Sequence, residues 1–180
     1  KPILPIVNDL AARFFGRVAG HTLFMHTNWQ APNGRILAVD LRNPARENWR
    51  QVIPESSAAM ENFSLGGGKL FVNYLDEVHS RVRILEADGK PVRDIRFPAL
   101  GTVSSVTGQW TSPETFFQFE SFHVPETIYR YHAASGRQQI WAQSSMPLRS
   151  DDLELKQVWY ESKDRTRIPM FLLHLSLIHI

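Results

Sequence analysis

FFQFESFHVPETIYRYHAASG, residues 116–136, settles the architecture of this chain. It reads as two strands, Thr115–Phe122 and Thr127–His132, closed by the Ser135-Gly136 turn signal. The same figure occurs twice upstream. Phe24, Phe71 and Phe117 are separated by 47 and 46 residues, and Val39, Leu85 and Tyr131 by 46 and 46. A weaker strand precedes each pair (Arg13–Val18, Ala59–Leu65, Thr102–Thr107) and a fourth follows it (Trp49–Ile53, Val92–Phe97, Gln138–Ala142). Four short strands repeating at about 46 residues is the sequence form of a propeller blade. A single four-stranded sheet cannot cover both of its faces, so such units stack around an axis.

The expectation is all-β: three blades over residues 11–55, 58–98 and 101–144, with Ile3–Val7 as the last strand of a preceding blade. Only Asp9–Phe15 has any helical amphipathicity, and it is short. Three blades do not close a ring, so a blade face should stand open at each end of the array. Turn residues fall between the strands, at Asn33-Gly34, Gly66-Gly67-Gly68 and Asp88-Gly89-Lys90-Pro91.

Beyond the third blade the period fails. Leu148–Glu154 is a polar linker with adjacent Asp151 and Asp152. KQVWYESKDRTRIPMFLLH, residues 156–174, reads as a hairpin: strands Leu155–Tyr160 and Ile168–Leu173 around a short charged turn. The domain expectation is therefore blades over 1–148 and linker plus hairpin over 149–174. The final LSLIHI, 175–180, resembles the conceptual translation of a sequencing-library transposon adaptor and is set aside from the fold. The opening KPILPIVNDL has neither an initiator Met nor a signal-peptide core, so the chain is expected to begin inside a larger protein.

Composition narrows the function classes. Lys and Arg number 20 against 18 Asp and Glu, for a formal net charge of +2, and no basic block stands out. Neither nucleic acid nor a charged membrane surface is implied. No apolar run reaches the roughly 18 residues of a membrane span. The chain has no cysteine, which removes disulfides, thiol nucleophiles and zinc–thiolate sites. The 7 histidines (His21, His26, His79, His123, His132, His174, His179) show no ligand spacing, so no metal is expected. Gly66-Gly67-Gly68 lacks the Lys-Ser/Thr and the helix of a phosphate loop. Asp151 and Asp152 are neighbours in a linker, a poor arrangement for paired acid–base work. Trp29, Trp110, Trp141 and Trp159 are packing candidates, with Trp29 and Trp110 also placed to edge a central tunnel. No catalytic, cofactor or metal residue is assigned.

Three stretches carry a family resemblance. HTNWQAPNGRILAVDLRNPARENWRQVIPE (26–55), residues 116–136 and the hairpin at 156–174 resemble the prolyl oligopeptidase family of serine peptidases. The hairpin is the most specific, through Gln157-Val158-Trp159-Tyr160, Ser162-Lys163-Asp164 and Ile168-Pro169-Met170-Phe171. One departure stands out: the family's glycine after Lys-Asp is Arg165 here. The resemblance implies a seven-bladed propeller lying as a lid over an α/β-hydrolase domain, with the hairpin opening that domain. It implies cleavage of short peptides after proline by a Ser-His-Asp triad with an oxyanion hole. No Gly-x-Ser-x-Gly elbow occurs among these 180 residues, so they are expected to gate the enzyme and not to carry its chemistry. The implied partners are short proline-containing peptides and the hydrolase domain packed on the propeller, in a soluble cytoplasmic or periplasmic enzyme without cofactor. Two alternatives stay open. One is a stand-alone propeller interaction module, although no recurring Gly-His and Trp-Asp pair marks the blades. The other is an oligopeptidase B-like enzyme of the same architecture.

Overall fold

A computed structural model describes residues 3, 5–145 and 152–176. Among them are fourteen strands and one 3₁₀ turn, Arg46–Asn48, with no α-helix. The first sheet contains β1 (Phe14–Ala19), β2 (Thr22–Thr27), β3 (Arg35–Asp40) and β4 (Arg50–Ile53). The second contains β5 (Ala59–Gly66), β6 (Lys69–Asp76), β7 (His79–Glu86) and β8 (Pro91–Asp94). The third contains β9 (Thr102–Gly108), β10 (Glu114–Glu120), β11 (Thr127–His132) and β12 (Gln138–Gln143). Each is an antiparallel meander in chain order, and β13 (Leu153–Glu161) with β14 (Arg167–Leu175) forms a separate two-stranded hairpin.

The blades stack because the middle strands are apolar on both sides. In β6, Leu70, Val72 and Tyr74 join one core with Phe24, Ile36, Ala38, Val52 and Met60 of the first seam. Phe71 of the same strand joins Val103, Val106, Phe117, Phe119 and Tyr131 in the second seam. Blade two is thus buried on both faces, which is why its second strand reads LFV without alternation. Each fully buried Phe or Leu contributes about 1.5–3 kcal/mol. The first strands approach one another between blades, β1 to β5 and β5 to β9, so the array fans out from its first-strand edge.

One element departs from the sequence reading. Of the strand expected over Ile3–Val7, Leu4 lies outside the described residues, and Ile3 and Pro5–Val7 are in no strand and show no ladder partner among the described residues. The weak strand expected at Arg13–Val18 is β1, opened by Phe14 and Phe15, which pair with Thr27 and His26, and the short amphipathic stretch Asp9–Phe15 forms no helix. Residues 146–151, most of the expected linker with Asp151, lie outside the described residues. The hairpin runs past the stretch expected for it: Leu175 pairs with Leu153, and the Ser176 N–H donates to the Asp152 carbonyl at 2.8 Å. The remainder of the adaptor-like tail, 177–180, lies outside the described residues.

The repeat also slips by one position in blade three. Lys69 pairs with Glu86 and Glu114 with His132, which makes Phe116, not Phe117, the counterpart of Phe71. Side chains alternate along a strand, so one step reverses the face. Phe117 points back into the second seam, while Phe116 lies against Trp141 on the far side of the blade. Val39, Leu85 and Tyr131 keep true register: Leu85 lies in the first seam and Tyr131 in the second, each facing the preceding blade.

Candidate functional site

Three regions have the geometry to recognise another group: the seams, their first-strand ends, and the hairpin. The second seam is closed by polar side chains of blade two acting on the backbone of β9. The Val103 N–H donates to Ser80 Oγ at 2.9 Å, and Asn73 Nδ2 donates to the Val103 carbonyl at 3.2 Å. Asn73 is almost fully buried, and its Oδ1 has no protein partner. Its amide also reaches Glu61 Oε2 at 3.3 Å, where a bulge between Met60 and Asn62 turns the Glu61 carboxylate aside. An Asn in the apolar run LFVNYL was a visible signal of such a clamp.

At the first-strand end of the first seam, Phe15 stacks on His26 with 6.3 Å between ring centroids. Two adjoining cavities of about 360 and 200 Å³ lie there, sharing Phe15, His26 and Glu61, with Arg13 beside one and Arg17 beside the other. Burial pushes the His26 imidazole below its ordinary range and favours the neutral ring. Phe15 is 63% exposed, so the groove is lined by an open aromatic and exposed charged side chains.

The structure disperses the sequence candidates. The described histidines do not converge, and no group of three His, Cys, Asp or Glu able to hold a metal occurs among the described residues. His179 lies outside them. The triglycine forms the β5–β6 turn, with Gly67 and Gly68 at φ 56° and 73°. Their N–H groups donate to the Gln109 and Trp110 carbonyls at 3.1 and 2.8 Å, so they are spent on blade three and not on an anion. Asp152 serves the hairpin through its carbonyl. Trp110 packs on Phe24 at 6.0 Å, and Trp29 meets Trp49 edge-on at 6.1 Å under the Arg35 guanidinium. Trp141 is exposed beside Phe116, and Trp159 lies under Arg167 at 4.9 Å. No helix of the described residues is long and apolar enough to cross a membrane.

Side-chain contacts among the described residues tie the hairpin to the blades. Gln157 Nε2 donates to the Glu77 carbonyl, in the β6–β7 turn, at 2.7 Å. Phe171 lies 5.4 Å from Phe122 in the β10–β11 connection. Tyr160, Met170, Leu172 and Leu173 remain exposed on it. These contacts are tertiary, and no motif in the sequence announced them.

The N-terminal β-propeller domain model of prolyl oligopeptidase matches residues 2–144. The chain belongs to the prolyl oligopeptidase family. It is 34% identical over 153 residues to a prolyl endopeptidase of Elizabethkingia miricola, covering 85% of this chain and 22% of the relative. A prolyl endopeptidase from a structural study of two such enzymes superimposes with a TM-score of 0.85 at 32% identity, covering 96% of this chain and 26% of that one. Prolyl oligopeptidase B of Galerina marginata gives 0.83 at 27% identity, covering 94% and 25%. Oligopeptidase B of Leishmania major shares the fold, with a TM-score of 0.76 at 15% identity. The chain thus spans about a quarter of the length of the relatives it matches, and its residues 2–144 fall in the propeller portion.

Proposed function

We propose that these residues are the last three blades of the gating propeller of a serine endopeptidase that cleaves short peptides after proline, followed by the first hairpin of its hydrolase domain. The observation that carries this reading is the hairpin. It breaks the blade period, begins beyond the stretch matched by the propeller model, and still falls within the 96% of the chain that superimposes on a prolyl endopeptidase. Its exposed Tyr160, Met170, Leu172 and Leu173 suit the edge of a larger sheet waiting for neighbours. The triad and oxyanion hole belong to the hydrolase domain; the blades restrict access, admitting short chains and excluding folded ones.

The test is expression of the full-length gene and assay with a short peptide containing one internal proline. Cleavage on the carboxyl side of that proline, abolished by a serine-directed fluorophosphonate, is the expected result. An inert product whose sequence continues into further blades would overturn the reading in favour of an interaction platform.

A further inference from the structure

The turn between β6 and β7 has two central residues, Glu77 and Val78, closed by the Asp76–His79 pair. Both are left-handed, at φ 48° and 65°. Two-residue hairpin turns of this kind are ordinarily built from glycine, asparagine or aspartate, and a β-branched residue is the least suited to it. The central peptide of such a turn has no ladder partner, so its carbonyl is open to side chains; His79 Nδ1 lies 3.4 Å from it, a long contact within the hairpin. Here the Glu77 carbonyl accepts from Gln157, eighty positions later.

Gln157 and Phe171 are direct partners across the β13–β14 ladder, so they share one face of the hairpin. That single face bears on the β6–β7 turn of blade two through Gln157 and on the β10–β11 connection of blade three through Phe171. Both supports join a second strand to a third, and so stand at the same end of neighbouring blades. The hairpin therefore lies across the second seam. Phe122 is 66% exposed despite its contact, so the ring contact of this seat is open, and a seat resting on it and on the Gln157 hydrogen bond can open reversibly.

We infer that the Glu77–Val78 turn and Phe122 form a two-point seat for the crossover hairpin, and that Gln157 is a positioning residue whose hold on this seat limits the size of peptide admitted. This rests on the peptidase reading above. A strained, sharply aimed turn keeps the acceptor fixed, and a single rigid acceptor gives a latch with two defined states.

The test uses the full-length protein carrying Gln157→Ala or Gln157→Glu, the latter of the same shape without a donor. Two quantities are read: the ratio of kcat/KM for a long and a short proline peptide, and hydrogen exchange of the β13, β14 and 76–79 amides. The expected result is a rise of about fivefold in the long-to-short ratio, the scale of one lost hydrogen bond. Exchange accelerates by a similar factor, and the Glu variant behaves as the Ala variant. A filler role for Gln157 would spare the Glu variant. An unchanged ratio in an active enzyme overturns the latch. If no proline peptide is cleaved, the peptidase reading falls by itself; faster exchange in the Glu variant then upholds the seat, and unchanged exchange overturns it too.

Discussion

Arg165 sits at φ 66°, the left-handed region that costs a side chain with a Cβ about 1–2 kcal/mol. Its N–H donates to the Ser162 carbonyl at 2.9 Å, and the Thr166 carbonyl accepts from the Ser162 N–H at 2.9 Å, so the turn geometry is fixed by the chain around it. The departure was legible because the resemblance implies a glycine here; the backbone shows Arg165 in the left-handed conformation that a glycine would hold without strain. Arg165→Gly is expected to stabilise the hairpin by about 1 kcal/mol, read as a higher denaturant midpoint of Trp159 fluorescence. A second residue-scale case is Asp40, whose carboxyl the Arg42 guanidinium and backbone N–H hold down at about 2, against an ordinary 3.8. The folded chain binds this proton more weakly than the unfolded one. The stabilising contribution is therefore complete above the ordinary value and is lost as pH falls toward 2. Carboxyl NMR should place the Asp40 midpoint near 2 in the parent. In Arg42→Ala the midpoint should move up toward the ordinary aspartate value.

At the scale of elements, the seams decide. Strand positions were legible to within a few residues, because period-2 alternation and glycine turns mark them. Faces were less so: blade three slips by one residue, and the adjacent Phe116 and Phe117 gave no way to choose which ring turns inward. Of the polar clamp on Val103, Asn73 was legible as a polar residue in an apolar run, whereas Ser80 was not, since a Ser at the head of β7 resembles any solvated strand position. Yet Ser80 is buried and holds the Val103 N–H. Ser80→Ala should cost about 1–3 kcal/mol by leaving that donor unpaired, measured as a lower urea midpoint at unchanged slope. Gly89, at φ 91°, brings the β7–β8 turn onto blade one; a Cβ there would lie 2.0 Å from the Val52 carbonyl oxygen. Gly89→Ala is therefore expected to pry the first seam apart. Its signature is faster hydrogen exchange in β4 and β8 than in β10 and β11.

Over the whole molecule, the repeat gave the fan and its open ends. Trp141, 59% exposed beside Phe116, lies on the open apolar face of blade three, and Val18, 57% exposed, stands next to the end of β1. What repetition did not disclose is contact beyond neighbours. Trp110 belongs to the β9–β10 connection of blade three, crosses the β5–β6 turn and packs on Phe24 of blade one. An array whose units touch only their neighbours melts in pieces, like a one-dimensional lattice with weak bonds between sites. Trp110 adds a bond between the first site and the third, so loosening either end is felt at the other. Trp110→Ala should split one calorimetric transition into two; with tryptophan in place, the three blades share a single melting event.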